Sequence, residues 1–257
     1  MIDYYCIGHV LPAFSIPQEF SYVGPVVCDK ATKTIVITCE SLGEALNGRF
    51  LSEYTQLFGL ADMLGPRTSG SLYLFQYRKF ISLQCGTRKS TNIPYAYASL
   101  RDEAEKLFPN ITELNTLSSK VLVGPIIRIR STAANYSQYH LAEDFAAFCH
   151  ALGTLSILSA SDISRFINYE YLIPAPSLGL YPYKLFYSHM QILRQAWARF
   201  HEIHFLPRDD YQRRVGGFLL ERLHSFLILD ALQKHQLRAH QGHQVIISDS
   251  AHIMPST

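Results

Sequence analysis

Three segments of different periodicity follow one another in the first third of the chain, and their order limits the folds it can adopt. Residues 34–39, TIVITC, are rich in β-branched side chains and predict a strand. Residues 46–64 place apolar side chains three and four positions apart, which predicts a helix ending at Gly65-Pro66. Residues 71–83, SLYLFQYRKFISL, return to strand character. A strand, a helix and a second strand in this order predict an α/β fold.

Size and composition predict one large domain, or one domain with an appendage. The chain has 257 residues, of which 48% are hydrophobic and 17% charged, so it carries enough apolar side chain to build a full core. Periodicity continues to about residue 234 and is then lost. We therefore expect a single domain over residues 1–234 and a loosely ordered C-terminal tail over residues 235–257.

Charge and cysteine usage exclude several classes of protein. The formal net charge is +2, and Lys and Arg are scattered, so nucleic-acid binding is not expected. The five cysteines form no CxxC pair, which argues against a disulfide framework and a structural zinc site. This cysteine usage fits a reducing cytoplasm. Because no apolar run approaches the roughly 18 residues that span a bilayer, we expect a protein that is soluble or peripheral to a membrane.

Residues 209–227, DDYQRRVGGFLLERLHSFL, have apolar side chains at helical spacing but include two adjacent glycines, Gly216 and Gly217. A glycine in a helix interior costs about 0.8–1.0 kcal/mol relative to alanine, so the pair needs an offsetting reason. The missing Cβ atoms allow a neighbouring helix or a ligand to approach the backbone. Arg214 and Glu221 flank Gly217 on nearly the same face, which suits a pocket wall but also an ordinary ion pair. We expect this helix to lie against the sheet or the pocket.

Residues 76–79, QYRK, place two cations at the end of an apolar strand. Ligands of open α/β sheets bind beyond the carboxyl ends of the strands, so Arg78 and Lys79 are well placed to bind an anion such as pyrophosphate. A charged strand end that only faces water is the alternative.

Motifs of several other enzyme classes are absent from the sequence, which contains no GxGxxG, Walker loop, GxSxG or DxD aspartate pair. The HxxH of His201 and His204 lacks the third ligand of a zinc site. His140 and Asp144 are four residues apart, which predicts a solvated hydrogen-bonded pair. The sequence therefore predicts no metal site.

Taken together, these segments resemble a bacterial family of capsular and exopolysaccharide biosynthesis proteins that is regarded as glycosyltransferase-like. The most specific match is YQRRVGGFLLERL, which is similar to the family's C-terminal signature. SEYTQLFGLADML followed by LYLFQYRKF resembles the family's Glu-containing helix and the strand end after it, and YYCIGHVLPAFSIPQEFSYVG resembles its N-terminal strand. Gln76 and Lys79 stand where the family has His and Arg. The Gln76 amide cannot gain or lose a proton. The Lys79 ammonium keeps the positive charge but cannot donate two parallel hydrogen bonds, as an arginine guanidinium does.

The resemblance implies a GT-A-like fold, with a mostly parallel sheet flanked by helices and a helical C-terminal part. It also implies a glycosyltransferase that moves a sugar from a nucleotide-diphosphate donor to a polysaccharide or glycolipid acceptor in bacterial surface-glycan synthesis. Such a protein would be cytoplasmic, and peripheral association with the inner membrane is compatible with it. The alternatives are a non-catalytic nucleotide-sugar-binding or assembly protein of a polysaccharide operon, and a plain α-rich interaction domain.

The resemblance also assigns expected roles to candidate site residues. Arg78 and Lys79 are expected to neutralise the diphosphate, with support from Arg213, Arg214 or Arg222. Because two cations occupy the strand end where the resembled fold holds metal-binding aspartates, we expect donor binding without a metal or other cofactor. The candidates for the base that deprotonates the acceptor hydroxyl are Glu221 and Asp144. The remaining donor-binding candidates are His9, Glu53, Gln76, Tyr77 and Gly217.

Overall fold

A computed structural model describes residues 1–38, 48–117, 120–204, 206, 210–234 and 236–248. The strands are β1 (Ile2–Ile7), β2 (Ser21–Gly24), β3 (Lys33–Val36), β4 (Ser71–Gln76), β5 (Lys79–Ser82), β6 (Arg88–Lys89), β7 (Ala96–Ser99), β8 (Val121–Val123), β9 (Ile127–Arg128), β10 (Tyr171–Leu172), β11 (Gly179–Pro182), β12 (Ala239–Gln241) and β13 (His243–Ile247). The helices are α1 (Gly48–Leu51), α2 (Tyr54–Leu64), α3 (Arg101–Leu107), α4 (Ile111–Asn115), α5 (Thr132–Ser137), α6 (Ala142–Thr154), α7 (Ala160–Asn168), α8 (Tyr183–His204) and α9 (Val215–Gln233).

A mostly parallel sheet forms the centre of the molecule, as predicted. Its strands lie in the order β3-β2-β1-β4-β11-β8-β12, and all of them except β11 run in the same direction. β1 pairs with β4 in register from Ile2↔Ser71 to Ile7↔Gln76. The carboxyl ends of these two neighbouring strands therefore meet at the same edge of the sheet.

The segment predicted as one strand over residues 71–83 is in fact two strands. β4 ends at Gln76 and β5 begins at Lys79, and these two residues pair across a tight turn at Tyr77 and Arg78. β5 continues the sheet through β13, β7 and β6. The sequence does not reveal this turn. The residues have strand character on both sides of it, and a hairpin without Gly or Asn carries no strong turn signal.

The expectation of a loosely ordered tail is wrong for the described residues beyond Gln236. β12 pairs with β8, and β13 lies between β5 and β7 in the sheet. The side chain of Val245 is fully buried. These strands are too short and too polar at their flanks to give a clear pattern, and pairing with both neighbours stabilises β13. Residues 249–257 lie outside the described residues.

Helices cover both faces of the sheet, and alternate residues of β4 belong to different cores. Leu72 and Leu74 pack in the core formed with α2, α6, α8 and α9, whereas Tyr73 and Phe75 pack in the core formed with α3 and α4. The first core contains the long C-terminal helices, so the predicted helical C-terminal part is confirmed. The sheet excludes the α-rich alternative. Among the described helices, none combines the length and apolar character needed to cross a bilayer.

Two helices differ in extent from the sequence prediction. The helix expected over residues 46–64 is divided at Ser52, which has a positive φ of 55°, and residues 46 and 47 lie outside the described residues. The helix expected from residue 209 begins at Val215, after a 3-10 turn over Asp210–Arg214. Gly216 and Gly217 therefore lie in the first turn of α9 rather than in its middle.

Candidate functional site

A cleft of about 760 Å³ opens at the carboxyl ends of β1, β2, β3 and β4. One wall is made by the residues that follow these strands, and the opposite wall is made by α9 and the segment before α2. The lining residues are Ile7, Gly8, His9, Pro25, Ile37, Ser52, Glu53, Thr55, Gln56, Gln76, Tyr77, Arg78, Lys79, Ala175, Arg214, Gly217, Phe218 and Glu221. Open α/β sheets bind ligands at this edge, so the cleft is the candidate functional site.

The turn between β4 and β5 is fixed from both sides by backbone hydrogen bonds. The Ala13 N–H donates to the Tyr77 carbonyl at 2.8 Å, and the Ile247 N–H donates to the Arg78 carbonyl at 2.8 Å. The Arg78 guanidinium carbon lies 5.4 Å from the centre of the Tyr77 ring, and the His9 ring meets the same ring edge-on at 5.3 Å. The exposed Arg78 and the half-buried Lys79 are thereby presented to the cleft on a rigid support.

Two carboxyl groups face the same cleft. The Ser177 hydroxyl donates to Glu53 Oε1 at 3.2 Å, and the Ala175 N–H donates to Glu221 Oε1 at 3.1 Å. Burial raises the pKa of Glu53, and the charge of Glu221 raises it further, against the opposing effects of the Glu53 backbone N–H, Lys79 and Ser177. The cleft thus combines a cationic edge with two carboxyl groups.

The adjacent glycines let α9 approach the segment that precedes α2. A Cβ atom on Gly216 would lie 2.7 Å from Leu51 Cδ2 and 2.7 Å from Trp197 Cζ3, and one on Gly217 would lie 2.8 Å from Ser52 Oγ. The same Ser52 hydroxyl accepts a hydrogen bond from Arg214 Nε at 2.9 Å. This close contact confirms that the helix lies against the pocket, and it accounts for the glycine pair by packing.

The structure brings together most of the residues singled out by sequence. The residues that line the cleft are His9, Glu53, Gln76, Tyr77, Arg78, Lys79, Arg214, Gly217 and Glu221. They come from four separate parts of the chain, and the order of the sheet strands and the close approach of α9 bring them to one edge.

Three predicted site residues lie elsewhere. Asp144 is buried, and its Oδ1 lies 3.4 Å from His204 Nε2, because the inner face of α6 packs against α8. Arg222 is buried and donates to the Phe218 carbonyl at 2.9 Å and to Asn135 Oδ1 at 3.0 Å. Arg213 is exposed in the 3-10 turn and is not among the described lining residues. These positions do not fit the roles expected for the three residues.

Sequence reasoning also missed cleft residues. Ser52 and Ala175 have positive φ angles of 55° and 52°, which non-glycine residues rarely adopt. Neither residue type signals such a conformation in a sequence. Phe218 was part of the recognised helix pattern, but only the three-dimensional structure shows that it faces the cleft.

Within the described ranges, no group of three or more His, Cys, Asp or Glu side chains is arranged to hold a metal ion. The predicted His140–Asp144 pair is replaced by other contacts. His140 Nδ1 lies 3.2 Å from Gln212 Oε1, and Asp144 Oδ1 lies 3.4 Å from His204 Nε2.

The fold and the position of the cleft define the chain as an open α/β protein with its candidate ligand site at the carboxyl ends of parallel strands. Within that class, the fold is that of a glycosyltransferase. The apo structure of the WbbM bifunctional glycosyltransferase superposes with a TM-score of 0.76 over 96% of this chain, at 14% sequence identity.

The chain spans 45% of the length of the WbbM chain. No family model and no curated protein matches the sequence. The comparison therefore confirms the glycosyltransferase-like fold implied by the resemblance, and membership of the capsular family stays a prediction.

Proposed function

We propose that the chain is a glycosyltransferase that uses a nucleotide-diphosphate sugar as its donor. The observation that carries this proposal is that Arg78, Lys79 and Arg214 face the same cleft as Glu53 and Glu221. Glycosyl transfer requires a neutralised diphosphate leaving group and a base for the acceptor hydroxyl, and this cleft offers candidates for both.

The donor diphosphate would lie between the β4–β5 turn and the first turn of α9. Arg78 can bind phosphate oxygens through two parallel N–H groups, and Lys79 can act as a compact charge. Arg214 and the N-terminal end of α9 at Gly217 add positive potential on the opposite wall. These groups support donor binding without a divalent cation.

Glu221 is the proposed base. The Ala175 N–H fixes one of its carboxylate oxygens, which orients the side chain towards the cleft. In the proposed reaction the acceptor oxygen bonds to the anomeric carbon while its proton passes to Glu221. The bond from the anomeric carbon to the diphosphate oxygen breaks, and its electron pair leaves with the nucleoside diphosphate. Glu53 would hold sugar hydroxyls beside this centre.

The acceptor class follows from the resemblance and is proposed as a glycan or glycolipid of bacterial surface-glycan synthesis. Transfer to such an acceptor would take place in the cytoplasm or at the inner face of the inner membrane.

The test is a thermal-shift screen of UDP-, GDP-, dTDP-, ADP- and CDP-linked sugars, followed by a hydrolysis assay with each donor that stabilises the protein. We expect at least one donor to raise the melting temperature and to be hydrolysed slowly, and Glu221→Gln to retain binding while losing hydrolysis. Binding without hydrolysis in the parent would favour a non-catalytic nucleotide-sugar-binding protein. No stabilisation by any nucleotide would contradict the proposal.

A further inference from the structure

A stack of three rings lies beside the cleft on the wall formed by α9. The His140 and Phe218 rings are stacked with centroids 4.0 Å apart and planes inclined by 20°. Tyr211 lies against both, 4.8 Å from Phe218 and 5.8 Å from His140. We call these three side chains the aromatic platform.

The platform is buried on its inner side and open on its outer side. His140 and Phe218 are each 8% exposed, whereas Tyr211 is 57% exposed. An exposed tyrosine that is supported by two buried rings presents a fixed apolar surface to solvent, unlike a side chain that moves freely.

Polar contacts fix the platform in place. Gln212 Oε1 lies 3.2 Å from His140 Nδ1, and Gln212 Nε2 donates to the Tyr139 carbonyl at 2.9 Å. The Arg214 guanidinium carbon lies 5.5 Å from the centre of the Phe218 ring. Burial and the nearby Arg222 lower the pKa of His140, so the ring is held in its neutral, stackable form.

The platform adjoins the cleft without belonging to its strand-end wall. Phe218 is shared by the two, since it supports Tyr211 and also lines the cleft beside Glu221. In open α/β sheets the nucleotide binds at the strand ends, which here carry His9, Pro25 and Ile37 on the opposite wall. The exposed ring packs on Phe218, which lies one helical turn before the proposed base Glu221 on α9, so it adjoins the wall that carries the base.

We propose that Tyr211 is the stacking surface for the acceptor sugar, an inference that rests on the proposed glycosyltransferase function. A pyranose ring carries C–H bonds on its faces, and these are attracted to the electron-rich face of an aromatic ring. A sugar placed on Tyr211 would have its hydroxyl groups at the rim of the cleft, on the same wall as Glu221. The chemical class of the ligand is a neutral glycoside.

The experiment measures glycoside binding and nucleotide binding separately. Saturation-transfer NMR would be recorded with the methyl glycosides of galactose, glucose, mannose and N-acetylglucosamine, on the parent protein without nucleotide. UDP and the other nucleoside diphosphates would be titrated by calorimetry. We expect at least one glycoside to receive saturation through its ring C–H protons, and Tyr211→Ala to weaken its binding by about two- to tenfold.

Two further variants and a stability measurement make the result specific. Tyr211→Phe keeps the ring and should bind the glycoside as the parent does. Tyr171→Ala removes a tyrosine on β10 that is 48% exposed and is not among the described cleft-lining residues, so it should have no effect. The melting temperature of Tyr211→Ala should match that of the parent, because the side chain is mostly in solvent.

Several results would overturn the inference. These are a parent protein that binds none of the glycosides, unchanged glycoside binding by Tyr211→Ala, or a loss of nucleotide affinity in Tyr211→Ala, which would identify the ring as a nucleobase contact. Failure of every nucleotide to bind would instead contradict the proposed function, and the glycoside measurement would remain a test of the platform because it contains no nucleotide.

Discussion

At the scale of single residues, Arg78 is the side chain on which donor binding should depend most. It lies on a turn fixed by two backbone hydrogen bonds, and its guanidinium faces the cleft. Charge-assisted hydrogen bonds contribute roughly 1.5–3 kcal/mol, so Arg78→Ala should weaken binding of the nucleoside diphosphate by about ten- to a hundredfold. Titration calorimetry measures this directly.

Arg213→Ala is the matched control, because it removes an equal charge from an exposed position that is not among the described lining residues. It should leave the dissociation constant within about twofold of the parent value. Equal losses in the two variants would mean that only the overall charge of the protein matters.

Glu53 should make the stability of the protein depend on pH. Its pKa in the folded protein is raised above the ordinary value of 4.5, so the folded state keeps the proton to higher pH than the unfolded chain does. Stability therefore falls as the pH rises from about 4.5 through the folded-state pKa, and the loss is complete above it. Glu53→Gln removes this loss while keeping an oxygen that can accept from Ser177.

We expect the melting temperature of Glu53→Gln to exceed that of the parent at pH 8, and the margin to shrink towards pH 4. Thermal unfolding of both proteins at intervals between pH 4 and pH 8 measures this difference in melting temperature. Glu105→Gln, at an exposed position on α3, should show no such margin. A margin for Glu53→Gln that stays constant with pH would contradict the assignment.

At the scale of secondary-structure elements, the contact between α9 and the segment before α2 should tolerate no side chain at the glycine pair. A leucine at Gly217 would displace Ser52, whose Oγ would lie 2.8 Å from the new Cβ atom. Overpacking of this kind costs about 1–3 kcal/mol, in addition to any change in helix propensity. We expect urea denaturation to show that Gly217→Leu lowers the free energy of unfolding by at least about 1 kcal/mol.

The control is Gly153→Ala in α6, where a Cβ atom would meet only Ile163 Cδ1 at an ordinary 3.5 Å. Alanine is the better helix former, so this variant should be as stable as the parent or more stable by up to about 1 kcal/mol. A change within about 0.5 kcal/mol for Gly217→Leu would rule out the close-approach account of the glycine pair.

Element-level prediction from the sequence succeeded where the apolar periodicity was long and failed where structure depends on pairing. The helices around residues 54–64 and 215–233 follow from their spacing. The tail strands do not, because β13 is stabilised by β5 and β7 rather than by its own five residues. The assignment of Asp144 to the site failed for a similar reason. A sequence does not show that the side of α6 that carries Asp144 packs on α8.

At the scale of the whole molecule, the order of the sheet strands explains how residues so distant in sequence form one cleft. β1 and β4 are neighbours, so His9 and the Gln76–Lys79 turn lie at the same edge, and α9 closes the opposite wall. The general rule for open α/β sheets predicted the strand-end part of the site. The opposite wall was only partly predictable, because it depends on the positive φ angles of Ser52 and Ala175.

We propose that this cleft binds a nucleoside diphosphate through its own cations. The most direct measurement is calorimetric titration of UDP, GDP, ADP, CDP and dTDP into the protein, first in EDTA and then in excess Mg²⁺ or Mn²⁺. We predict that at least one nucleotide binds in EDTA with a dissociation constant within about twofold of its value with metal, because Arg78, Lys79 and Arg214 supply the positive charge. Binding that occurs only with the metal, or no binding by any of the nucleotides, would contradict the account.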